Sequence, residues 1–277
     1  MKIGFIGQGM VGKAYADYYE KNGFDIVRYS LEPEYIENKN KIELCDIVFI
    51  SVPTPTTPKG FDDKILRDVI GLIGKGKIGV IRSTVLPGTT ESIQREFDDR
   101  YILMAPEFLT ARTASEEVAH PRKHVIGIPK DNGVFRSKAR LVLSTLPNAP
   151  HNSIVSSKEA EMIKYIQNNF FYVKNIYMSI CYKMAEKIGC DLDVIHRALL
   201  SEPMMGTYHH LAPVRDGGYG AAGPCLLKDF EAFIGFYEKN NGEDSGNKIL
   251  RAIRDRNLEL LRETGKDKKL LLDIYGE

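Results

Sequence analysis

The chain has 277 residues, of which 43% are apolar and 27% charged, with a formal net charge of +1. That length allows one large domain or two ordinary ones, and the near-neutral balance gives no electrostatic reason to expect a nucleic acid or a membrane surface as partner. No apolar run approaches the roughly 18 residues of a bilayer span, the opening MKIGFIGQGM is too short and glycine-rich for a signal peptide, and four scattered cysteines without a CxxC pair argue against a disulfide framework or a zinc site.

The first element is a short apolar run, Ile3 to Ile6, which turns through Gly7-Gln8-Gly9-Met10-Val11-Gly12 into a helical pattern ending near Gly23. A second apolar run, Asp25 to Tyr29, follows, so the order is strand, glycine turn, helix, strand. In that setting the GxGxxG spacing has physical reasons. Gly7 permits the tight turn, Gly9 lets backbone approach a pyrophosphate, and Gly12 lets the helix pack on the strand. The helix start presents free N–H groups and partial positive charge to phosphates. A plain glycine-rich turn is the competing reading, but the position between both flanking elements predicts a dinucleotide site, with Met10 and Val11 among its contacts. Ser30, rather than an acid, ends the second strand, with Glu32 two residues on and Arg28 two before. NAD is the first expectation, with Glu32 standing in for the usual acid; Ser30 leaves NADP open.

Further strand runs follow at 46–53, 78–85, 101–108 and 124–129, mostly separated by helical stretches. Such alternation predicts an α/β fold, a Rossmann-type, doubly wound, mainly parallel sheet over residues 1–152. The stretch between Ser30 and Asp46 is short for a full crossover helix. Ligands gather at the carboxyl ends of such strands. The strand-end sequences SVPTPT, RSTVLPGTT and APEFL therefore carry the next ligand candidates, Val52, Pro53, Thr54, Ser83, Thr84, Glu107, Phe108 and Leu109, with ordinary turn chemistry as the competing reading of the Thr/Pro loops.

From Ser157 to Gly189 no proline or internal glycine interrupts the chain, and apolar residues recur at 163, 166, 170, 173, 177, 180, 184 and 188. Steps of three and four predict one long helix with this stripe as its buried face, in an intrachain core or in a seam with another subunit. At about 1.5 Å per residue it runs on the order of 45 Å, long enough to connect domains or pair with another subunit. Lys164 and Asn168, four apart, share a helix face, either as a solvated pair or as a cation and an amide turned toward a ligand. A short helix in DLDVIHRALLSE, a loop rich in His, Gly and Pro, and two more helices complete an all-α second domain, expected over 153–277. With unpaired thiols and no leader, the chain is expected in the cytoplasm, without a metal. GGYGAAGPCLLKDF places Cys225 beside Lys228 and Asp229 after a glycine-rich approach. A core cysteine and an activated nucleophile both fit that stretch taken alone.

Together these pieces resemble the UDP-glucose/GDP-mannose dehydrogenase family over Met1 to roughly Glu238. SVPTPT resembles that family's first strand-end loop, RSTVLPGTT its S-T-V-P-P-G-T-T loop, and APEFL its P-E-F-L segment. EAEMIKYIQNNFFYVK resembles its A-E-L-I-K-Y-x-x-N-A-F helix, and GYGAAGPCLLKD its G-P-G-F-G-G-S-C-F-P-K-D loop. The resemblance implies oxidation of a nucleotide sugar at C6, from alcohol to carboxylate, with two NAD reduced. It makes Cys225 the nucleophile toward the intermediate aldehyde and gives Gly220 a place in the substrate loop. It makes Lys164 and Asn168 the groups that steady the oxyanion, Asp229 the carboxylate that positions water or Lys164, and Thr84 and Glu107 the residues that hold and activate water. It also implies a homodimer through the helical domain.

The chain departs from the pattern at Ala111, where the family carries a second carboxylate, and at Ala222, Pro224 and Leu227 in the nucleophile loop. The resemblance also implies a third, α/β domain that helps grip the nucleotide, which is not expected within these 277 residues. The reading favoured is still an active nucleotide-sugar dehydrogenase. Three alternatives stand beside it: a chain that needs another polypeptide to complete its site, a two-domain 3-hydroxyacid or 6-phosphogluconate type of dehydrogenase, which oxidises once and needs no thiol, and a cofactor-binding dimerisation module without turnover.

Overall fold

The computed structural model describes residues 1–110, 112–206 and 218–276. The chain divides into two compact units, one joining Met1–Thr54 to Asp62–Lys164, the other joining Pro55–Phe61 to the residues from Tyr165 onward.

The first unit begins with β1 (Lys2–Ile6), α1 (Met10–Lys21), β2 (Asp25–Tyr29), a 3-10 stretch (Ile36–Leu44) and β3 (Ile47–Ile50). The chain then leaves it for a hairpin of two short strands, β4 (Thr56–Thr57) and β5 (Gly60–Phe61). It returns as α2 (Lys64–Ile70), β6 (Ile78–Ile81), α3 (Thr89–Glu96), β7 (Tyr101–Met104), α4 (Ala114–Ala119), β8 (Lys123–Ile128), α5 (Gly133–Leu143), β9 (His151–Ser156) and the first turns of α6 (Ser157–Lys187). Seven strands form one sheet in the order β2-β1-β3-β6-β7-β8-β9. Every pair is parallel except β7 with β8, which meet at Met104 and Gly127. β3 and β6 are buried at every position, as strands covered by helices on both faces must be. Under α1, Phe5 stacks on Phe49 at 5.4 Å and meets Tyr19 edge-on at 5.2 Å. Burial of each such ring stabilises the unit by roughly 1.5–3 kcal/mol.

The 3-10 stretch is the reduced crossover that the short 30–46 interval implied. A boundary after residue 152, by contrast, would cut β9, which pairs with β8 over six positions. HNSIVS is polar and half exposed, so it carries no apolar run to announce a strand.

The second unit adds α7 (Leu192–Leu200), α8 (Pro224–Asn241), α9 (Ser245–Thr264) and α10 (Lys268–Tyr275) to the hairpin and the rest of α6. Tyr172 of α6 stacks on Phe230 of α8 at 4.0 Å, and Leu227, Ile234, Leu260 and Leu261 close the core around them. α10 exceeds the two closing helices expected. It starts from Asp267 in the left-handed region (φ 52°), without a side-chain cap to signal it, and buries Leu271 and Ile274.

α6 has the expected length, but the face expected to be buried is exposed at Ile166, Phe170, Tyr177, Ile180, Met184 and Ile188. The buried face carries Ala160, Tyr165, Asn168, Tyr172, Ile176 and Ser179, residues that a hydropathy count partly scores as polar. Among the described residues, no helix is long and apolar enough to cross a membrane.

Candidate active site

The glycine turn is built for close approach. Gly7 has φ +87°, and a Cβ there would stand 2.2 Å from the Ser51 carbonyl oxygen. At Gly12 a Cβ would stand 1.9 Å from the Gly7 oxygen, so both glycines are demanded by the fold. Gly9 differs: a Cβ there would meet nothing within 4 Å. Space beside Gly9 and an α1 start with neither a side-chain cap nor an acid in its first turn fit a pyrophosphate on the amides near Met10 and Val11.

At the end of β2, the Ser30 hydroxyl accepts the Glu32 amide at 3.2 Å and donates to its carboxylate at 3.4 Å. Arg28 is committed elsewhere, to Asp17 at 2.6 Å and Glu20 at 2.7 Å on α1. A hydroxyl and an acid at the strand end, with the nearby cation neutralised, suit a ribose diol and disfavour a 2′-phosphate.

The loops past β3 and β6 are tied together. Ser83 Oγ accepts the Val52 amide at 3.0 Å and donates to the Val52 carbonyl at 2.7 Å, while Thr54 Oγ1 donates to the Thr84 carbonyl at 2.8 Å. Pro53 lies between these anchors. Past β7, Glu107 accepts the Leu109 amide at 2.6 Å and pairs with Lys164 at 3.6 Å. Lys164 is 6% exposed, so a solvated lysine is ruled out. The Phe108 ring has Lys164 at 5.6 Å and Lys123 at 4.0 Å. Burial, then the Lys164 charge, pulls the Lys123 amine below its ordinary value.

In the second unit, Asn168 is 6% and Asp229 1% exposed. Asn168 Nδ2 donates to Asp229 Oδ2 at 2.7 Å, and Lys228 Nζ donates to Asp229 Oδ1 at 2.5 Å. Lys228 is thus the cation of Asp229. Cys225 stands in the first turn of α8, is exposed and forms no disulfide, which overturns the core-cysteine reading. A helix start favours a thiolate.

The glycine-rich approach is not slack where it is described. Gly220 donates to Ser179 Oγ at 3.2 Å, Ala221 to Asn257 Oδ1 at 2.7 Å and Gly223 to Asp267 Oδ2 at 2.6 Å. None of these three partners was singled out from the sequence, because they lie 36 to 44 residues away along the chain. Glu161 was also passed over, although it stands within the EAEMIKY motif. Ala111 and Gly217 lie outside the described residues.

Two models of one family match the chain: the NAD binding domain of the UDP-glucose/GDP-mannose dehydrogenase family over residues 35–140, and the central domain of the same family over residues 158–259. The chain belongs to the UDP-glucose/GDP-mannose dehydrogenase family. The first model is the NAD-binding domain, so the cofactor is NAD, in agreement with Ser30, Glu32 and the committed Arg28. YtcA of Bacillus subtilis (strain 168), provisionally assigned as a UDP-glucose 6-dehydrogenase, is 31% identical over 270 residues. The match covers 92% of this chain and 59% of YtcA, so the chain spans about three fifths of that relative's length. Among solved structures, the UDP-D-ManNAc dehydrogenase of Pyrococcus horikoshii superposes with a TM-score of 0.79 at 20% identity, covering 95% of this chain and 69% of that one. The 3-hydroxyisobutyrate dehydrogenase of Mycobacterium tuberculosis gives 0.71 at 14% identity over 96% and 95% of the two chains. These structural likenesses speak to the fold.

Proposed function

We propose that this chain oxidises a nucleotide sugar of the UDP-glucose or GDP-mannose kind at C6, from alcohol to uronate, through a thioester on Cys225. The observation that carries the reading is an exposed thiol in the first turn of α8, one turn before a buried carboxylate that holds both Asn168 and Lys228. Bound NAD supplies the hydride acceptor for each of two oxidations. In the first, the C6 alcohol gives up a hydride and a proton, with Thr84 and Glu107 holding the water that relays the proton. The Cys225 thiolate then adds to the aldehyde carbon, and Lys164 with Asn168 steadies the resulting oxyanion. Loss of a second hydride leaves the thioester. Water held by Glu107 cleaves it, releasing the carboxylate and restoring the thiol. Phe108, Leu109 and Gly220 supply substrate contacts in this reading. The single-oxidation dehydrogenases share the fold but leave this thiol and its neighbouring carboxylate without a use. A panel of UDP- and GDP-sugars with NAD is expected to show reduced cofactor with at least one member. Binding of NAD without turnover of any sugar would reduce the chain to a binding module.

The same reading includes a homodimer through the second unit. Phe170, Tyr177, Ile180 and Met184 form an exposed apolar stripe on α6, and α7 buries none of its residues. A second copy of the chain is the partner whose own stripe is complementary by symmetry. Sedimentation at micromolar concentration is expected to give a dimer, and Phe170→Asp a monomer. A wild-type monomer would refute it.

A further inference from the structure

The most buried carboxylate near the strand-end loops is not one of those assigned to the reaction. Glu161 lies one turn before Lys164 on α6 and is 0% exposed. Both of its oxygens serve one target: Oε2 accepts the Gly88 amide at 2.6 Å, and Oε1 accepts the Thr90 amide at 2.8 Å. These amides flank the start of α3, so the carboxylate occupies the positive end of that helix. The contrast with α1 is informative. The start of α1 has no side-chain anion, whereas the start of α3 is closed by the protein's own residue.

The segment from Ser83 to Thr90 is thereby held at two places. Ser83 fixes its beginning to Val52, and Glu161 fixes its end to α6. Thr84 lies between the anchors. Because Glu161 and Lys164 are one turn apart on the same helix, the carboxylate also links that segment to the helix bearing Lys164. We propose that Glu161 is a positioning residue, a clamp that sets the register of Thr84 against Lys164. This rests on the assignment of those two residues to the reaction above.

The chemistry explains why a carboxylate is kept here. Burial pushes its carboxyl up to about 7, against the pull of the Thr90 and Gly88 hydrogen bonds. Glu91 of α3 adds to the push and is itself paired with Lys158 of α6 at 2.9 Å. Ionising this group is costly, and a glutamine would avoid the cost. A glutamine, however, offers one acceptor and turns an N–H donor toward the other amide. Two converging amides require two acceptors on one planar group.

The test uses the purified chain, Glu161→Gln and Glu161→Ala. In the wild type, the Gly88 and Thr90 amide resonances are expected to titrate together near pH 7, and in Glu161→Gln this titration vanishes. In Glu161→Ala, hydrogen exchange over residues 84–90 is expected to rise roughly tenfold or more, with amides of β1 and β3 unchanged. With an active sugar, kcat falls roughly 10- to 100-fold. Stability supplies a further sign. The folded value near 7 lies above the ordinary 4.5, so the stabilisation is complete below 4.5 and is lost as pH rises through 7. Glu161→Gln removes that part of the slope. Unchanged loop exchange in Glu161→Ala, or Gly88 and Thr90 amide resonances unaltered in Glu161→Gln, overturns the clamp. Loosened amides with unchanged kcat overturn the positioning role. Should Glu161→Ala fail to fold, the amide resonances of the glutamine variant make the same decision. If the wild type turns over no sugar, the exchange and resonance data still judge the clamp, and the failure belongs to the assigned reaction.

Discussion

Cys225→Ser is expected to abolish uronate formation, lowering its rate by a factor on the order of 10³ or more. A serine hydroxyl is far less acidic than a thiol, and an oxygen ester is a poorer intermediate to form and to cleave. The first oxidation needs no thiol, so aldehyde is expected to accumulate with one reduced cofactor per sugar. Because Cys225 is exposed in the first turn of α8, the folded chain loses little packing. The melting free energy is expected to stay within about 0.5 kcal/mol of wild type. Paired measurements of reduced cofactor and uronate check this. Unchanged uronate output in the variant would remove the thiol from the mechanism.

Lys164→Ala is expected to lower kcat by roughly 10²–10³-fold, the usual effect of deleting one oxyanion-stabilising group. It also leaves Glu107 without the cation now 3.6 Å away, in surroundings where both side chains are mostly buried. That costs about 1–3 kcal/mol of stability. The double variant Lys164→Ala/Glu107→Gln tests the stability effect alone, because Glu107 has its own place in the reaction. It is expected to recover stability, since the uncompensated charge is gone, and to recover no turnover. Thermal melts alongside kcat measure both. Unchanged kcat in the single variant Lys164→Ala would remove Lys164 from the stabilisation of the reacting oxygen.

The α/β half was legible because its signals are local. A glycine turn between two apolar runs, and hydroxyl-rich strand ends, follow from backbone sterics and from where loops must lie. The candidate residues stood out for the same reason, as short motifs in a fixed order. What escaped notice was set by partners distant along the chain. The run from Gly218 to Gly223 looks slack in sequence, yet Ser179, Asn257 and Asp267 hold its amides. β9 escaped because an edge strand needs few apolar residues. On α6 the period was right, but the stripe, which fitted either an intrachain core or a subunit seam, is not in the chain's own core. Tyrosines, an asparagine and a serine fill the buried side, while the apolar stripe faces outward. Periodicity detects a helix but does not say which surface meets its own core and which meets another molecule. Glu161 belonged to a recognisable motif, but its role depends on two amides about seventy residues earlier.

The most direct test of a covalent, two-stage oxidation is stoichiometry. With the best sugar in limiting amount and NAD in excess, reduced cofactor and uronate are counted per sugar consumed. Two reduced cofactors and one uronate are expected for each sugar. One reduced cofactor per sugar, with an aldehyde or ketone as the end product, would contradict it.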